Sequence, residues 1–115
     1  MKMIIAIIQP TKLSTVREAL HDRGITRLTV CDAMGYGRQH GRMASFRGNE
    51  YRIDLLRKVA LEIVVNEDFV ETALQVIRET ALTGSEGAIG DGKIIVIPVV
   101  DVIDIGKQTH GPSAI

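Results

Sequence analysis

The chain has 115 residues, 45% of them apolar, and its 14 basic side chains balance 14 acidic ones. That length suits one core and not two. The apolar content excludes a disordered chain, and the balanced charge argues against a protein built to coat nucleic acid or a membrane surface. Aromatic residues make up 3% and tryptophan is missing, so a base-stacking platform for single strands has no material.

The N-terminal "MKMIIAIIQP" opens like a signal peptide, with a lysine and then an apolar run. The run is too short, it stops at Gln9-Pro10, and no small-residue cleavage site follows. Met3 to Ile8 therefore reads as a buried strand ended by Pro10. "LSTVREALHDRGI" has helical spacing at Leu13, Val16 and Leu20, with Ala19 beside them. Thr15 and Glu18 stand at capping-box spacing, and Gly24 is a terminator. A second strand is predicted over Thr26 to Met34. Then comes "GYGRQHGRMASFRGNEY", Gly35 to Tyr51, which carries no apolar stripe of either period. Long loops inside small domains are uncommon, and are functional or disordered.

The second half repeats the plan. Lys58 to Val65 is a strand, and Asn66 is placed to cap a helix whose first turn holds Glu67 and Asp68, as the helix dipole favours. Val70, Ala73, Ile77 and Ala81 form its inner face and Gly84 stops it. A glycine-rich link leads into "KIIVIPVVDVIDI", a last strand whose Pro98 marks an edge or a bulge. The order is βαβ–loop–βαβ, with each half's second strand returning beside its first. This is α+β: a ferredoxin-like βαββαβ sandwich, one sheet with two helices on one face. Met3–Ile8 and Ile94–Val100 are apolar on both faces. The other face then belongs to a homo-oligomer that closes the sheets together, or to a protein partner. No segment approaches a membrane span, and a single cysteine, Cys31, fits a reducing cytoplasm.

Two segments hold the ingredients of an anion site. "GAIGDGKI", Gly87 to Ile94, matches the first positions of a P-loop. Ile94 stands where Ser or Thr would hold magnesium, however, and the segment opens a strand instead of a helix, so the P-loop reading is rejected. Its glycines still let backbone N–H groups converge on an anion, with Lys93 adding charge; a plain helix-to-strand turn is the alternative. At the other segment Gly35 and Gly37 free the backbone, Arg38 supplies a fork for phosphate, and Gln39 can reach a metal ion or a ligand oxygen; a solvated loop is the alternative. Meeting between neighbouring chains, the two would suit a polyphosphate. His21, His40 and His110 lack ligand spacing, Cys31 reads as packing, and Glu62 reads as solvent face or as an acceptor for a ligand hydroxyl or amine. No nucleophile has a base at motif spacing.

Together "AIIQPTKL", "VREAL", "GITRLTV", "GYGRQHG", "FRGNEY", "KVALEIVV" and "TG…IGDGKI" resemble the PII nitrogen-regulatory signal proteins, from Met1 to about Val102, and the final "SAI" is similar to that family's terminal residues. The resemblance implies one domain over residues 1–115, assembled as a homotrimer without catalytic turnover. Residues 36–55 would be a mobile T-loop, 83–93 a second phosphate loop and 104–115 a C-terminal tail. It implies ATP or ADP, and by extension AMP, in clefts between subunits, joined by Mg2+ and 2-oxoglutarate. The T-loop would act on a protein target: an ammonium channel, a metabolic enzyme or a regulator. By position, Thr29, Gly35, Gly37, Arg38, Glu62, Gly90, Gly92 and Lys93 would serve the nucleotide. Gln39, Gly41 and Lys58 would serve 2-oxoglutarate, with Gln39 on the metal. Tyr51 would be the modified tyrosine and Arg47 a partner contact, while Asn49 replaces another branch's phosphorylated serine.

Two departures stand out. Asp104 and Gly106 occupy positions where the family carries phosphate-gripping arginines; such a desolvated contact is worth about 1.5–3 kcal/mol, so their loss would erode a preference for ATP over ADP or AMP. Lys107 would compensate only if the tail folds back. "SEGA", Ser85 to Ala88, lengthens the second phosphate loop and adds Glu86. The readings left open are a nucleotide sensor, a ligand-insensitive adaptor acting through its loop, and a small phosphohydrolase that lacks a visible base.

Overall fold

In the computed structural model the backbone is described for residues 1–40 and 51–115, and side chains for 1–36 and 55–115. The elements run β1 (Lys2–Ile8), a 3-10 turn (Pro10–Lys12), α1 (Leu13–Asp22), β2 (Thr29–His40), β3 (Tyr51–Val65), α2 (Glu67–Ala81), β4 (Gly92–Pro98) and a second 3-10 turn (Gly111–Ala114). The sheet order is β2-β3-β1-β4, and every neighbouring pair is antiparallel. This is the ferredoxin-like arrangement. In each half, however, the two strands are not neighbours: β3 separates β1 from β2, and β1 separates β3 from β4. The expectation that each second strand returns beside its first is corrected in that respect.

β1 is apolar throughout because it is paired on both sides and packed. Ile4, Ala6 and Ile8 point to the helices and are essentially inaccessible. They meet Val59, Leu61, Ile63 and Val65 of β3, Val16 and Leu20 of α1, and Val70, Ala73, Val76, Ile77 and Ala81 of α2 in one core. These are the helix positions that the 3.6-residue spacing marks. α1 ends as predicted, with Gly24 N–H donating to His21 O and Ile25 N–H to Leu20 O, each at 3.0 Å, the Schellman pattern that satisfies the last carbonyls.

Three local expectations change. The Thr15–Glu18 capping box is not formed, because the 3-10 turn feeds straight into the helix: Lys12 N–H donates to Gln9 O at 3.0 Å, and Leu13 is already helical. Asn66 is the N-cap residue of α2, with no side-chain cap hydrogen bond. The outer parts of the expected loop, Tyr36 to His40 and Tyr51 to Leu55, are strand, paired from Tyr36↔Leu55 to His40↔Tyr51. A two-stranded ribbon needs only backbone groups in register, so glycine and charge do not stop it.

β4 ends at Pro98, well short of the apolar run that continues to Ile105. Beyond it the tail bends back on itself: Ile103 and His110 form a bridge, and Asp104 N–H donates to Thr109 O at 2.8 Å. The side chains of Val100 (98% exposed), Ile103 (68%) and Ile105 (95%) stand exposed. Ile95 and Ile97 of β4 are also exposed. Among the described residues no helix is long and apolar enough to cross a membrane.

Gly92 locks the edge of this sheet. Its φ is +117°, and a Cβ built there would lie 1.8 Å from the carbonyl oxygen of Ile7. Gly92→Ala should destabilise the fold by at least about 1–3 kcal/mol through strain and displacement of β4. Ile63→Ala, a pure core truncation, should cost about 2–5 kcal/mol. Urea unfolding at fixed protein concentration checks both.

Candidate functional site

Strand alternation sorts the expected site residues onto one surface. With Ile4, Ala6, Ile8, Leu61 and Ile63 turned to the helices, the intervening positions occupy the helix-free face. In register these are Thr29↔Glu62, Cys31↔Ala60, Ala33↔Lys58 and Gly35↔Leu56 between β2 and β3, Ile5↔Glu62 and Ile7↔Ala60 between β1 and β3, and Ile7↔Lys93 between β1 and β4. Thr29, Gly35, Lys58, Glu62 and Lys93 therefore share a face.

They form more than one group. At the loop end, the Lys58 ammonium donates to the carbonyl of Gly90, while the Lys58 stem passes beside Gly35, whose added Cβ would lie 4.0 Å from Lys58 Cγ. Lys58 thus touches both glycine segments within one chain. Gly90 has φ +95°, which turns its carbonyl at little cost only because it has no side chain. At the other end, Thr29 faces Glu62 and the Cys31 thiol donates to Glu62 Oε1 at 3.5 Å. Glu62 lies four positions along the strand from Lys58, roughly 13 Å at about 3.3 Å per residue, so one small ion cannot bridge them and an extended ligand can.

Cys31 is exposed and not part of the core, which corrects its reading as packing. It is held against the Glu62 carboxylate, which accepts its hydrogen and, with partial loss of hydration and the charge of Asp32, pushes the thiol pKa up.

The second loop is organised by a residue that the sequence reading passed over. The Asp91 carboxylate accepts from Thr83 N–H at 3.0 Å, from the Thr83 hydroxyl, from Ala88 N–H at 2.8 Å and from Gln9 Nε2 at 3.2 Å. The Asp91 N–H returns a bond to Ala88 O at 3.2 Å. These donors favour the charged form and lower its pKa to about 2, with the Thr83 hydroxyl first, then the backbone N–H groups of Ala88 and Thr83. Asp91 spans "TGSEGAIG" like a clasp, so the lengthened segment is closed by its own carboxylate. An aspartate bonding to nearby backbone N–H groups is a common turn device, and that is the signal available in the sequence.

Asp104 also turns inward. Its carboxylate accepts from Lys107 N–H at 2.8 Å, its carbonyl accepts from Gln108 N–H at 2.9 Å, and Gln108 adopts φ +58°. The tail does fold back, but it leaves β4 at the Lys2↔Pro98 end of the sheet, opposite the glycine loops, so Lys107 lies far from its own chain's Lys58. A groove of about 970 Å³ lies between α2 and the edge strand β4; Gly92 and Lys93 line it, together with Leu74, Arg78, Leu82 and Val96. The other expected site residues do not.

Gly37, Arg38, Gln39 and Tyr51 have a backbone position in the ribbon, with Arg38↔Ile53 and Gln39↔Arg52 in register; their side chains lie outside the described residues, as do Gly41, Arg47 and Asn49 altogether.

Residues 1–109 match the sequence profile of the family described as Nitrogen regulatory protein P-II. The chain belongs to the P-II family. It is 50% identical to Nitrogen regulatory protein P-II 1 of Escherichia coli strain K12 over 115 residues, covering all of both chains. It is 48% identical to Nitrogen regulatory protein P-II of Azospirillum brasilense, again over the whole of both. The solved structure of B. subtilis GlnK superposes with a TM-score of 0.80 at 25% identity, covering 99% of this chain and 97% of that one. The protein is accordingly a regulator of the P-II type and not an enzyme.

For a P-II loop built on Asp91, the pH response follows from the sign of the shift. The carboxylate ordinarily titrates at 3.8 and in the fold at about 2. Its contribution to stability is complete above the ordinary value and is lost as pH falls through about 2. Between pH 5 and pH 2 the wild type should lose more stability than Asp91→Asn, whose amide does not titrate. Parallel acid-unfolding curves of the two check this, and superimposable pH dependence would contradict it.

Proposed function

We propose that the chain is a nitrogen-signalling sensor that binds adenine nucleotide between the subunits of a homotrimer and controls a cytoplasmic protein target through the loop joining β2 and β3. One observation carries this reading: Lys58 lies between Gly35 of β2 and the turned carbonyl of Gly90, on the face that also presents Lys93, Thr29 and Glu62. Two glycine segments and two cations on one face fit a polyphosphate. The donor set suits that ligand class, because Asp91, next to Gly90 in the second segment, is already consumed by its own loop.

Gly35, Gly37 and Arg38 would then hold phosphates from one side, and Gly90, Gly92 and Lys93 from the other, with Thr29 and Glu62 toward the nucleoside. Gln39 would ligate Mg2+ when ATP is present, and Gly41, Gln39 and Lys58 would receive a carboxylate of 2-oxoglutarate. The cation and the magnesium supply charge neutralisation and no turnover. Arg47 would reach the target, an ammonium channel, enzyme or regulator, and Tyr51 would be open to modification. The homotrimer is supported by the apolar residues of β4 and the tail that stand exposed in a single chain; such a strip is covered in a stable soluble protein.

A specific observation favours an altered nucleotide preference. The Asp104 carboxylate is occupied by Lys107 N–H, and position 106 is glycine, so neither offers a cation to a neighbour's terminal phosphate. ATP should therefore bind no more than a few-fold tighter than ADP, and AMP should compete measurably. Calorimetry with ATP, ADP and AMP, with and without Mg2+ and 2-oxoglutarate, measures these values. Arg38→Ala combined with Lys93→Ala should weaken nucleotide binding by at least about tenfold. Silence toward every ligand would replace the sensor with a ligand-insensitive adaptor, and a monomer in sedimentation would remove the shared cleft.

A further inference from the structure

The second loop, Thr83 to Asp91, has few ties to the rest of the protein. Its internal bonds run through Asp91. Among the described residues, two side chains reach into it from the sheet layer: Gln9, which donates to Asp91 Oδ1 at 3.2 Å, and Lys58, which donates to Gly90 O. The first is a neutral amide. The second is a cation based on a rigid strand, next to the buried Val59 and paired with Ala33. Gly90 also stands so close that a Cβ on it would lie 3.7 Å from Lys58 Nζ. The ammonium is thus seated in the turn and does not merely brush one oxygen.

We infer that Lys58 is a tether that holds the second loop in its unliganded shape, so that an anionic ligand capturing this ammonium releases the loop. The argument is one of competition. A carboxylate adds to lysine's hydrogen bond the attraction of a full negative charge, which a neutral carbonyl lacks, so it competes for the ammonium. Once the ammonium turns to the ligand, Gly90 loses that partner, and among the described residues the Gln9 side chain is the hydrogen-bonded tie that remains. The release step rests on the acid seat proposed above; the tether does not. The coupling is reciprocal: a ligand that closes the second loop around its phosphates also decides whether Lys58 is free for an acid. Lys58 is here a positioning residue for the loop.

Hydrogen exchange by mass spectrometry on the intact protein tests this. The reporters are the N–H groups of Thr83, Ala88 and Asp91, each hydrogen-bonded within the loop, read as a ratio to the β1 and β3 amides so that any general loss of stability cancels. Lys58→Met, which keeps the stem, and Lys58→Gln should each raise that ratio at least about threefold without ligand, while Lys107→Met, at the far end of the sheet, should leave it unchanged. Unaltered exchange in both Lys58 variants overturns the tether. With ATP, Mg2+ and 2-oxoglutarate on the wild type, a ratio rising toward that of the variants supports release, and calorimetrically detected binding with an unchanged ratio overturns it. Failure of 2-oxoglutarate to bind counts against the acid seat, and the tether is then judged by the ligand-free variants alone.

Discussion

The register of β1 against its two neighbours is the constraint on which the rest depends. Every residue from Lys2 to Ile8 is paired on one side with β3 and on the other with β4. Because side chains alternate, this register decides which residues enter the core and which face away. A slip by one residue in β3 would carry Lys58 and Glu62 under the helices and bring Val59, Leu61 and Ile63 to the surface. The buried charges would have no partners there, so core and site are specified by the same pairing.

The split topology makes a further contribution. Each half places its second strand beside the other half's first, which sets the two glycine segments at the same end of the sheet. Gly35 arrives there on β2 and Gly90 just before β4, and Lys58 on the intervening strand touches both. Neither segment is informative on its own. Glycine and a cation occur together in many turns, and only their convergence on one lysine sets these apart.

Much of this was legible in the residues. The helix faces at Val16, Leu20, Val70, Ala73 and Ile77, the strand at Met3 to Ile8, and the edge marked by Pro98 all follow from short-range pattern, and all are seen. The ribbon from Tyr36 to His40 was not legible, since its pairing uses backbone groups while its side chains carry no alternating apolar signal. The end of β4 was misread for the opposite reason. Val100, Ile103 and Ile105 look like strand interior, but all three stand exposed where the chain bends back on itself. Asp91 was overlooked because its role is visible only when donors from Gln9, Thr83 and Ala88 converge in space. Gly92 was assigned to phosphate binding, while its contact with Ile7 O shows that it is also required by backbone packing; the sequence cannot separate the two demands.

The bond between Cys31 and Glu62 has a chemical consequence. Sulfur attacks electrophiles and peroxides as the thiolate, and the neighbouring carboxylate accepts the thiol hydrogen and disfavours that anion. In a single chain the helix-free face therefore displays a sulfur that ionises less readily than an ordinary thiol.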